Sequence, residues 1–354
     1  MWVIVLCKKI IICLFVFCYL SSVTVYAQSE SVSANYAVSI DMATKNILYD
    51  KCCNEKASMA STTKIMTCII ACKQGDFDQT VVVTDEMLNG TEGSLIYLKQ
   101  GDSITLYDLV VGAMLASGND AANVIAFVIS GSIEEFCNLM NEYAKNIGMK
   151  NTNFETPSGL DSKNHYSTAY DMALLGAYAL NDETFSSICK MQSAEIEING
   201  EAQTVYNHNK LLSIDEDCVG IKTGYTDNSG RCLVSAYKYK SSTIIIVTLC
   251  ASDDWNDHKK ILDFSKKKYR LNSQTEYFEL DIVGAQNDKI VCEASFDVSY
   301  ISSFDKKAYF YPIVYAPILK SSKVGVLELY SDEVYIGSVD IIVPESVKAW
   351  QTTK

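Results

Sequence analysis

Three groups of residues in this chain can do chemistry together, in the order Ser61-Thr62-Thr63-Lys64, Ser117-Gly118-Asn119 and Lys222-Thr223-Gly224. A serine hydroxyl is a poor nucleophile at neutral pH and needs a base beside it. Lys64 lies three residues after Ser61, on the same face of a helix start. It is a base only where burial or a neighbouring positive charge lowers its pKa. Lys222 supplies such a neighbour, and a helix N-terminus favours the negative charge that develops at Ser61. Ser117 offers a hydroxyl that relays a proton to a leaving amine, and Asn119 a carboxamide that holds a substrate amide. Lys222 and Thr223 suit a terminal carboxylate, while Gly224 permits close approach to an edge strand that binds extended peptide through its backbone. Each group alone has a plainer explanation: a helix cap at Ser61, a helix stop and new N-cap at 117–120, a solvated lysine on a strand rim. Their joint occurrence makes chance the weaker explanation and describes a serine that works through lysine rather than histidine.

The elements around these residues follow from periodicity. Tyr36, Val38 and Ile40 alternate with more polar neighbours, and Ile47-Leu48-Tyr49 returns after a polar turn, which predicts a hairpin. Helical spacing runs over Thr62–Cys72, with Ser61 at its N-terminal end, and over Leu106–Leu115, Ala121–Ser130, Ile133–Ile147 and Ala169–Leu180. The stretch 85–180 therefore reads as mostly helical, with Thr156-Pro157-Ser158-Gly159-Leu160 as a loop. Strands return at Gly220–Thr223, Cys232–Tyr237 and Thr243–Cys250, and a helix at His258–Tyr269 closes this part. Strands at both ends with helices between them predict an α+β domain: one antiparallel sheet built from the termini, with an inserted helical region. From about Leu271 short alternating strands take over, such as Phe278–Val283 and Val324–Tyr330, and predict a small all-β C-terminal domain, read as a β-sandwich.

The chain has 354 residues, 48% apolar and 21% charged, with only 4 prolines. That length suits two domains and a leader. Lys8 and Lys9, the apolar run Ile10–Leu20 and the small-residue end Val25-Tyr26-Ala27 read as a signal peptide cut after Ala27. The expected organisation is a leader over 1–27, a catalytic domain over 28–271, a β-sandwich over 272–347 and a short tail over 348–354. The leader holds two lysines and no acid, so the remainder carries 28 basic against 43 acidic residues. That balance disfavours nucleic acid and anionic membrane surfaces as partners. Ten of the 13 cysteines follow Ala27. Many sit where a small apolar residue would serve, such as Cys68, Cys72 and Cys250, and are expected to be buried thiols. Cys52 and Cys53 are expected to be exposed. His165, His208 and His258 are scattered and there is no Cys-x-x-Cys, so no metal site is expected.

The residues flanking the motifs narrow the family. Met59-Ala60-Ser61-Thr62-Thr63-Lys64-Ile65-Met66-Thr67, Leu115-Ala116-Ser117-Gly118-Asn119-Asp120-Ala121-Ala122 and Gly220-Ile221-Lys222-Thr223-Gly224-Tyr225-Thr226 resemble the low-molecular-mass penicillin-binding proteins. They look most like the D-alanyl-D-alanine carboxypeptidases of peptidase family S11. Asn207–Leu212 and Tyr166–Met172 match as well. The resemblance runs from about Asn35 to Leu271, and the tail from about 275 resembles that family's C-terminal β domain.

The resemblance implies a β-lactamase/transpeptidase-like fold and an exported serine carboxypeptidase at the cell wall or the outer face of the cytoplasmic membrane. Ser61 would attack the penultimate D-Ala carbonyl of a peptidoglycan stem peptide ending in D-Ala-D-Ala, and water would then resolve the acyl-enzyme. Lys64 would be the base, Ser117 the relay, Asn119 a substrate contact, and Lys222 with Thr223 the carboxylate anchor beside Gly224. The backbone N–H groups of Ser61 and Tyr225 would form the oxyanion hole. Penicillin and other β-lactams would acylate the same serine, and no cofactor or metal is implied. Two departures stand out: Ser58 replaces a common proline, and the short tail after Lys348 argues against membrane attachment through a C-terminal amphipathic helix. A class A β-lactamase would need a deacylating Glu in a Glu-x-x-Leu-Asn loop, and Glu155-Thr156-Pro157-Ser158-Gly159 does not supply it. A transpeptidase and a catalytically weak wall-binding protein remain the alternatives.

Overall fold

A computed structural model describes residues 31–240, 242–268, 272–298, 305–331 and 334–350. The leader expected over 1–27 and the end of the tail, 351–354, lie outside the described residues, as does the junction at 269–271. The first sheet has five antiparallel strands in the order β2-β1-β9-β8-β7. They are β1 (Tyr36–Asp41), β2 (Ile47–Lys51), β7 (Cys218–Thr226), β8 (Gly230–Tyr239) and β9 (Ser242–Ala251). The first and last strands of the domain are neighbours, with Val38 opposite Val247 and Ile40 opposite Ile245.

Alternation along these strands sends side chains to opposite faces of the sheet. Val38, Ile40, Val234, Ile245 and Val247 pack into a large core with the helices. Ala37, Leu233, Tyr237, Ile244 and Ile246 pack on the other face against Ile261 and Leu262 of the helix Asp254–Lys268. Both faces of β9 are therefore covered, which is why Ile244 to Leu249 reads as a nearly unbroken apolar run. Burying each such side chain stabilises the fold by about 1.5–3 kcal/mol.

The inserted region centres on α1 (Lys64–Gln74), whose residues from Lys64 to Ala71 are all buried. Around it stand α3 (Leu106–Leu115), α4 (Asn119–Ser130), α5 (Ile133–Ile147) and α6 (Ala169–Ala179), with the short α2 (Asp85–Leu88) at the edge. Side-chain caps at Thr105, Ser132 and Thr168 satisfy the first backbone N–H groups of α3, α5 and α6. The stretch after α2 departs from the expected helix: 89–102 is loop, followed by β4 (Ser103–Thr105), which pairs with β3 (Thr80–Val82). A second hairpin, β5 (Ser193–Ile198) with β6 (Glu201–Tyr206), follows the helix α7 (Glu183–Cys189).

The C-terminal strands β10 (Asn272–Val283), β11 (Lys289–Val298), β12 (Asp305–Phe310), β13 (Val314–Tyr315), β14 (Lys323–Ser331) and β15 (Val334–Ile342) join in one curled sheet. The expected all-β module is present. Among the described residues its two halves pair at Glu293 with Ile342, and they share one core that includes Ile290, Cys292, Leu327 and Ile341. Among the described residues no helix is long and apolar enough to cross a membrane.

Ten cysteines are free in the described part, seven of them buried. The expectation of buried, small apolar thiols fits Cys68 and five others, whereas Cys72 and Cys250, named for the same role, are only half-buried. Cys53 departs from the expected exposure: the turn after β2, with Cys52 at φ +50°, leaves Cys52 exposed and turns Cys53 into the core. Asp50 Oδ1 accepts from the Cys53 N–H and secures that turn.

Candidate active site

The turn Ala60–Thr63 is a single 3-10 turn that runs directly into α1. Ala60 and Ser117 both adopt positive φ, +48° and +61°, conformations that cost non-glycine residues on the order of 1–3 kcal/mol and persist only where the surroundings enforce them. At Ala60 the enforcing contact is Gly159. It has φ +85°, and a Cβ there would stand 2.0 Å from the Ala60 carbonyl oxygen. On the other side β7 presses against the same turn at Gly224, where a Cβ would meet the backbone nitrogens of Ser61 and Thr62 at 2.9 and 3.0 Å. The turn bearing Ser61 is thus held between a loop and an edge strand.

Lys64 is fully buried beneath this turn. Its Nζ donates to Asn119 Oδ1 at 2.6 Å, to the Ser158 carbonyl at 2.7 Å and to Ser61 Oγ at 2.9 Å. The first two partners are acceptors only, whereas a hydroxyl both donates and accepts. An uncharged Lys64 keeps two N–H bonds, to Asn119 and Ser158, and turns its lone pair to the Ser61 O–H. Burial, and then the charge of Lys222, holds the Lys64 ammonium well below its usual range. Lys222 is also buried, donates to the Thr223 carbonyl at 3.2 Å, and has its pKa pushed down by burial to about 8.

Asn119 and Asp120 open α4 and clip the loop 92–98 over the site. The Asn119 N–H donates to the Ser94 carbonyl, and Nδ2 to the Glu92 carbonyl at 2.5 Å. The Asp120 carboxylate accepts from the N–H groups of Ile96 and Leu98. An open cleft of about 560 Å3 results, with Ser61, Ser94, Ser117, Thr223, Gly224 and Tyr225 on its walls. His208 lines it too, with its pKa lowered by burial and then by the charges of Lys222 and Lys64. Arg231, Asp254 and Trp255 complete its lining. Every residue singled out from the three motifs is at this cleft or directly beneath it.

Sequence reasoning missed several participants. Ser158 was seen only as part of a loop, yet its carbonyl holds Lys64. His165 Nδ1 accepts from the Glu155 N–H at 3.0 Å, so its Nε2–H donates to Thr63 Oγ1 at 2.9 Å, tying that loop to the 3-10 turn. Burial keeps His165 neutral, with its pKa lowered to about 4. The signal available was a Pro-Ser-Gly turn between two helices. Ser94 left no signal, since only the fold brings its loop here. Glu155 is engaged with Ser162 and Asn164 instead of the cleft.

Comparison with known proteins follows this geometry. The D-alanyl-D-alanine carboxypeptidase family model, peptidase S11, matches residues 23–253. The D-alanyl-D-alanine carboxypeptidase DacF of Bacillus subtilis is 35% identical over 247 residues, covering 68% of this chain and 64% of DacF. The match therefore spans less than two thirds of that relative's length. Penicillin binding protein 5 from Haemophilus influenzae superposes with a TM-score of 0.65 at 26% identity, covering 90% of this chain and 98% of the other. A point mutant of a Streptomyces DD-transpeptidase gives 0.64 at 27% identity, covering 66% and 98%. The fold is that of the penicillin-binding DD-peptidases. This chain belongs to the peptidase S11 family of D-alanyl-D-alanine carboxypeptidases.

Proposed function

We propose that this protein is a serine-type D-Ala-D-Ala carboxypeptidase that removes the terminal D-alanine from peptidoglycan stem peptides. The observation that carries the reading is the Lys64 Nζ, buried, stripped of its usual basicity and hydrogen-bonded to Ser61 Oγ. Substrate lies extended along the free edge of β7. Lys64 takes the Ser61 proton as Oγ bonds to the penultimate D-Ala carbonyl carbon. The oxyanion sits between the N–H groups of Ser61 and Tyr225, which the close approach at Gly224 brings together. Such a donor contributes about 3–4 kcal/mol to transition-state stabilisation. Ser117 passes a proton to the nitrogen of the departing D-Ala, the C–N bond breaks, and water later cleaves the Ser61 ester. Lys222 and Thr223 stand at the carboxylate end of the substrate, and Asn119 both orients Lys64 and faces the substrate amide.

The proposal extends to setting and organisation. The protein acts outside the cytoplasm, after export by the leader over 1–27. Its catalytic domain spans 28–271 and a β domain follows over 272–347. β-Lactams, which present a strained amide and a carboxylate in the same relation, acylate Ser61. Transfer to an amine in place of water is the second reading, favoured by the likeness to a DD-transpeptidase structure. Labelling with a fluorescent penicillin and mapping the modified peptide tests the assignment. The expected adduct is on Ser61. A labelled residue elsewhere, or no label, would contradict it.

A further inference from the structure

The stretch Ala308–Leu319 is twelve residues long, has no charged group and holds four aromatic rings. β12 and β13 are the two outer strands of the curled C-terminal sheet, so this stretch runs from one edge of the sheet to the other. Val314 turns into the core beneath. Tyr309, Phe310, Tyr311, Ile313, Tyr315 and Leu319 stay in solvent, from 37% exposed at Phe310 to 72% at Leu319. Two further exposed apolar side chains join them. Val283 pairs in register with Tyr315. The Trp350 N–H donates to the Gly284 carbonyl, which brings Trp350 beside Val283. Single apolar residues on a surface are ordinary, whereas a contiguous patch marks an interaction site.

The charge around this patch runs against that of the whole chain, which has a net charge of −13. Residues 306–327 hold four lysines and no acid. Lys306 and Lys323 are paired with Glu276 and Asp340, but Lys320 and Lys348 form no ion pair among the described residues. These two are neighbours, because the Lys320 N–H donates to Ser346 Oγ and Ile318 pairs with Val347. Asp281, Asp288 and Glu345 are exposed on adjoining segments, so charge assists and the apolar side chains supply most of the attraction. We propose that this seam of the β domain rests on the headgroup region of an anionic lipid bilayer. The aromatic and aliphatic side chains enter the interface, and Lys320 and Lys348 meet the headgroups. Tyrosine, tryptophan and lysine suit that boundary, since each has an apolar body and a polar tip. A polysaccharide would need hydrogen-bonding side chains between the rings, and the run has Pro312, Ile313, Ala316, Pro317 and Leu319 there. The contact is independent of the chemistry at Ser61.

The test is flotation of the chain from residue 28 with vesicles of phosphatidylcholine alone and of phosphatidylcholine mixed with phosphatidylglycerol. The wild type is expected to float with the mixed vesicles, and less with phosphatidylcholine alone or at high salt. Only two tryptophans follow Ala27, Trp255 in the cleft and Trp350 in the patch. A blue shift of emission on the mixed vesicles that disappears in Trp350→Phe is therefore expected. Ile313→Ser/Tyr315→Ser/Leu319→Ser is expected to weaken partition by roughly 100-fold. Lys320→Gln/Lys348→Gln should weaken it by roughly 10- to 30-fold, on the anionic vesicles only. All five side chains are exposed, so melting temperature and penicillin acylation stay unchanged. The lysine pair, remote from the core, keeps the test independent of folding. A wild type that floats with neither kind of vesicle, or triple and lysine variants that float as the wild type does, would overturn the assignment. So would binding to isolated peptidoglycan, or self-association, that the triple variant abolishes while no vesicle binds: the patch would then belong to glycan or to a second copy of the chain.

Discussion

In the proposed mechanism Lys64 accepts a proton from Ser61 only while it is uncharged, and the neighbouring Lys222 helps only while it is charged. These opposite needs fix the form of the pH profile. At low pH Lys64 is an ammonium, all three of its N–H bonds are donated, and Ser61 is not activated. As Lys64 loses its proton kcat/KM rises. Above about pH 8 Lys222 loses its charge in turn and kcat/KM falls. Lys222→Gln removes the positive neighbour, so the Lys64 pKa must rise. The expected outcome is an acid limb displaced to higher pH, no alkaline limb near pH 8, and a loss in penicillin acylation on the order of 100-fold. Stopped-flow acylation across pH checks this, and an acid limb that stays in place would separate Lys64 from the role of base. At this scale the sequence was most informative, because Ser61, Lys64, Ser117, Asn119 and Lys222 declare themselves by type and spacing.

The positioning elements work by contact with backbone, and two glycines measure it. At Gly224 an added methyl group would strike Ser61 N and Thr62 N. Gly224→Ala is expected to lower acylation by roughly 100-fold or more, about the loss of one oxyanion donor, while thermal stability falls little. At Gly159 the added methyl collides with the Ala60 carbonyl, and φ +85° disfavours alanine as well. Gly159→Ala therefore loses both acylation and stability, the latter by at least 1–3 kcal/mol. Melting curves alongside acylation rates distinguish the two. The helices Leu106–Leu115 and Ile133–Ile147 were legible to the residue because each has a continuous apolar stripe and clear end signals. The loop 92–98 was not. Its shape is imposed by the Asp120 carboxylate and the Asn119 amide from another element, and no local pattern encodes a long-range clip. The hairpin Ser193–Tyr206 escaped for a related reason: it is short and mostly exposed, with only Ile196 and Val205 buried to mark an inner face.

For the molecule as a whole, two neutral histidines tie separate elements together and link stability to pH. His258 bonds Ser235 and Thr248, fastening the helix Asp254–Lys268 to β8 and β9. His165 fastens the loop at 155–159 to the turn before α1. Burial lowers their pKa values to about 3 and about 4, below the value near 6.5 of an unfolded chain. Below that value the unfolded state binds more protons, so stability is fully present above about pH 6.5. It is lost as the pH falls towards the folded values. At pH 5 each histidine contributes a loss of about 2 kcal/mol. Thermal unfolding at pH 7.5 and pH 5 should show the fall, and His258→Gln should reduce its pH slope by about one proton. An unchanged slope would refute the linkage. The separate core beneath the C-terminal sheet contains neither histidine, so this acid sensitivity belongs to the part that carries the cleft.

The most direct measurement is mass spectrometry of a muropeptide ending in D-Ala-D-Ala after incubation with purified residues 28–354 in 18O-labelled water. The expected product has lost a single D-alanine and carries one 18O in its new carboxylate, and Ser61→Ala yields none of it. D-Ala release that survives in Ser61→Ala would contradict the proposed nucleophile. A wild-type protein that leaves the peptide intact, or joins it to an added amine instead of water, would contradict the carboxypeptidase assignment.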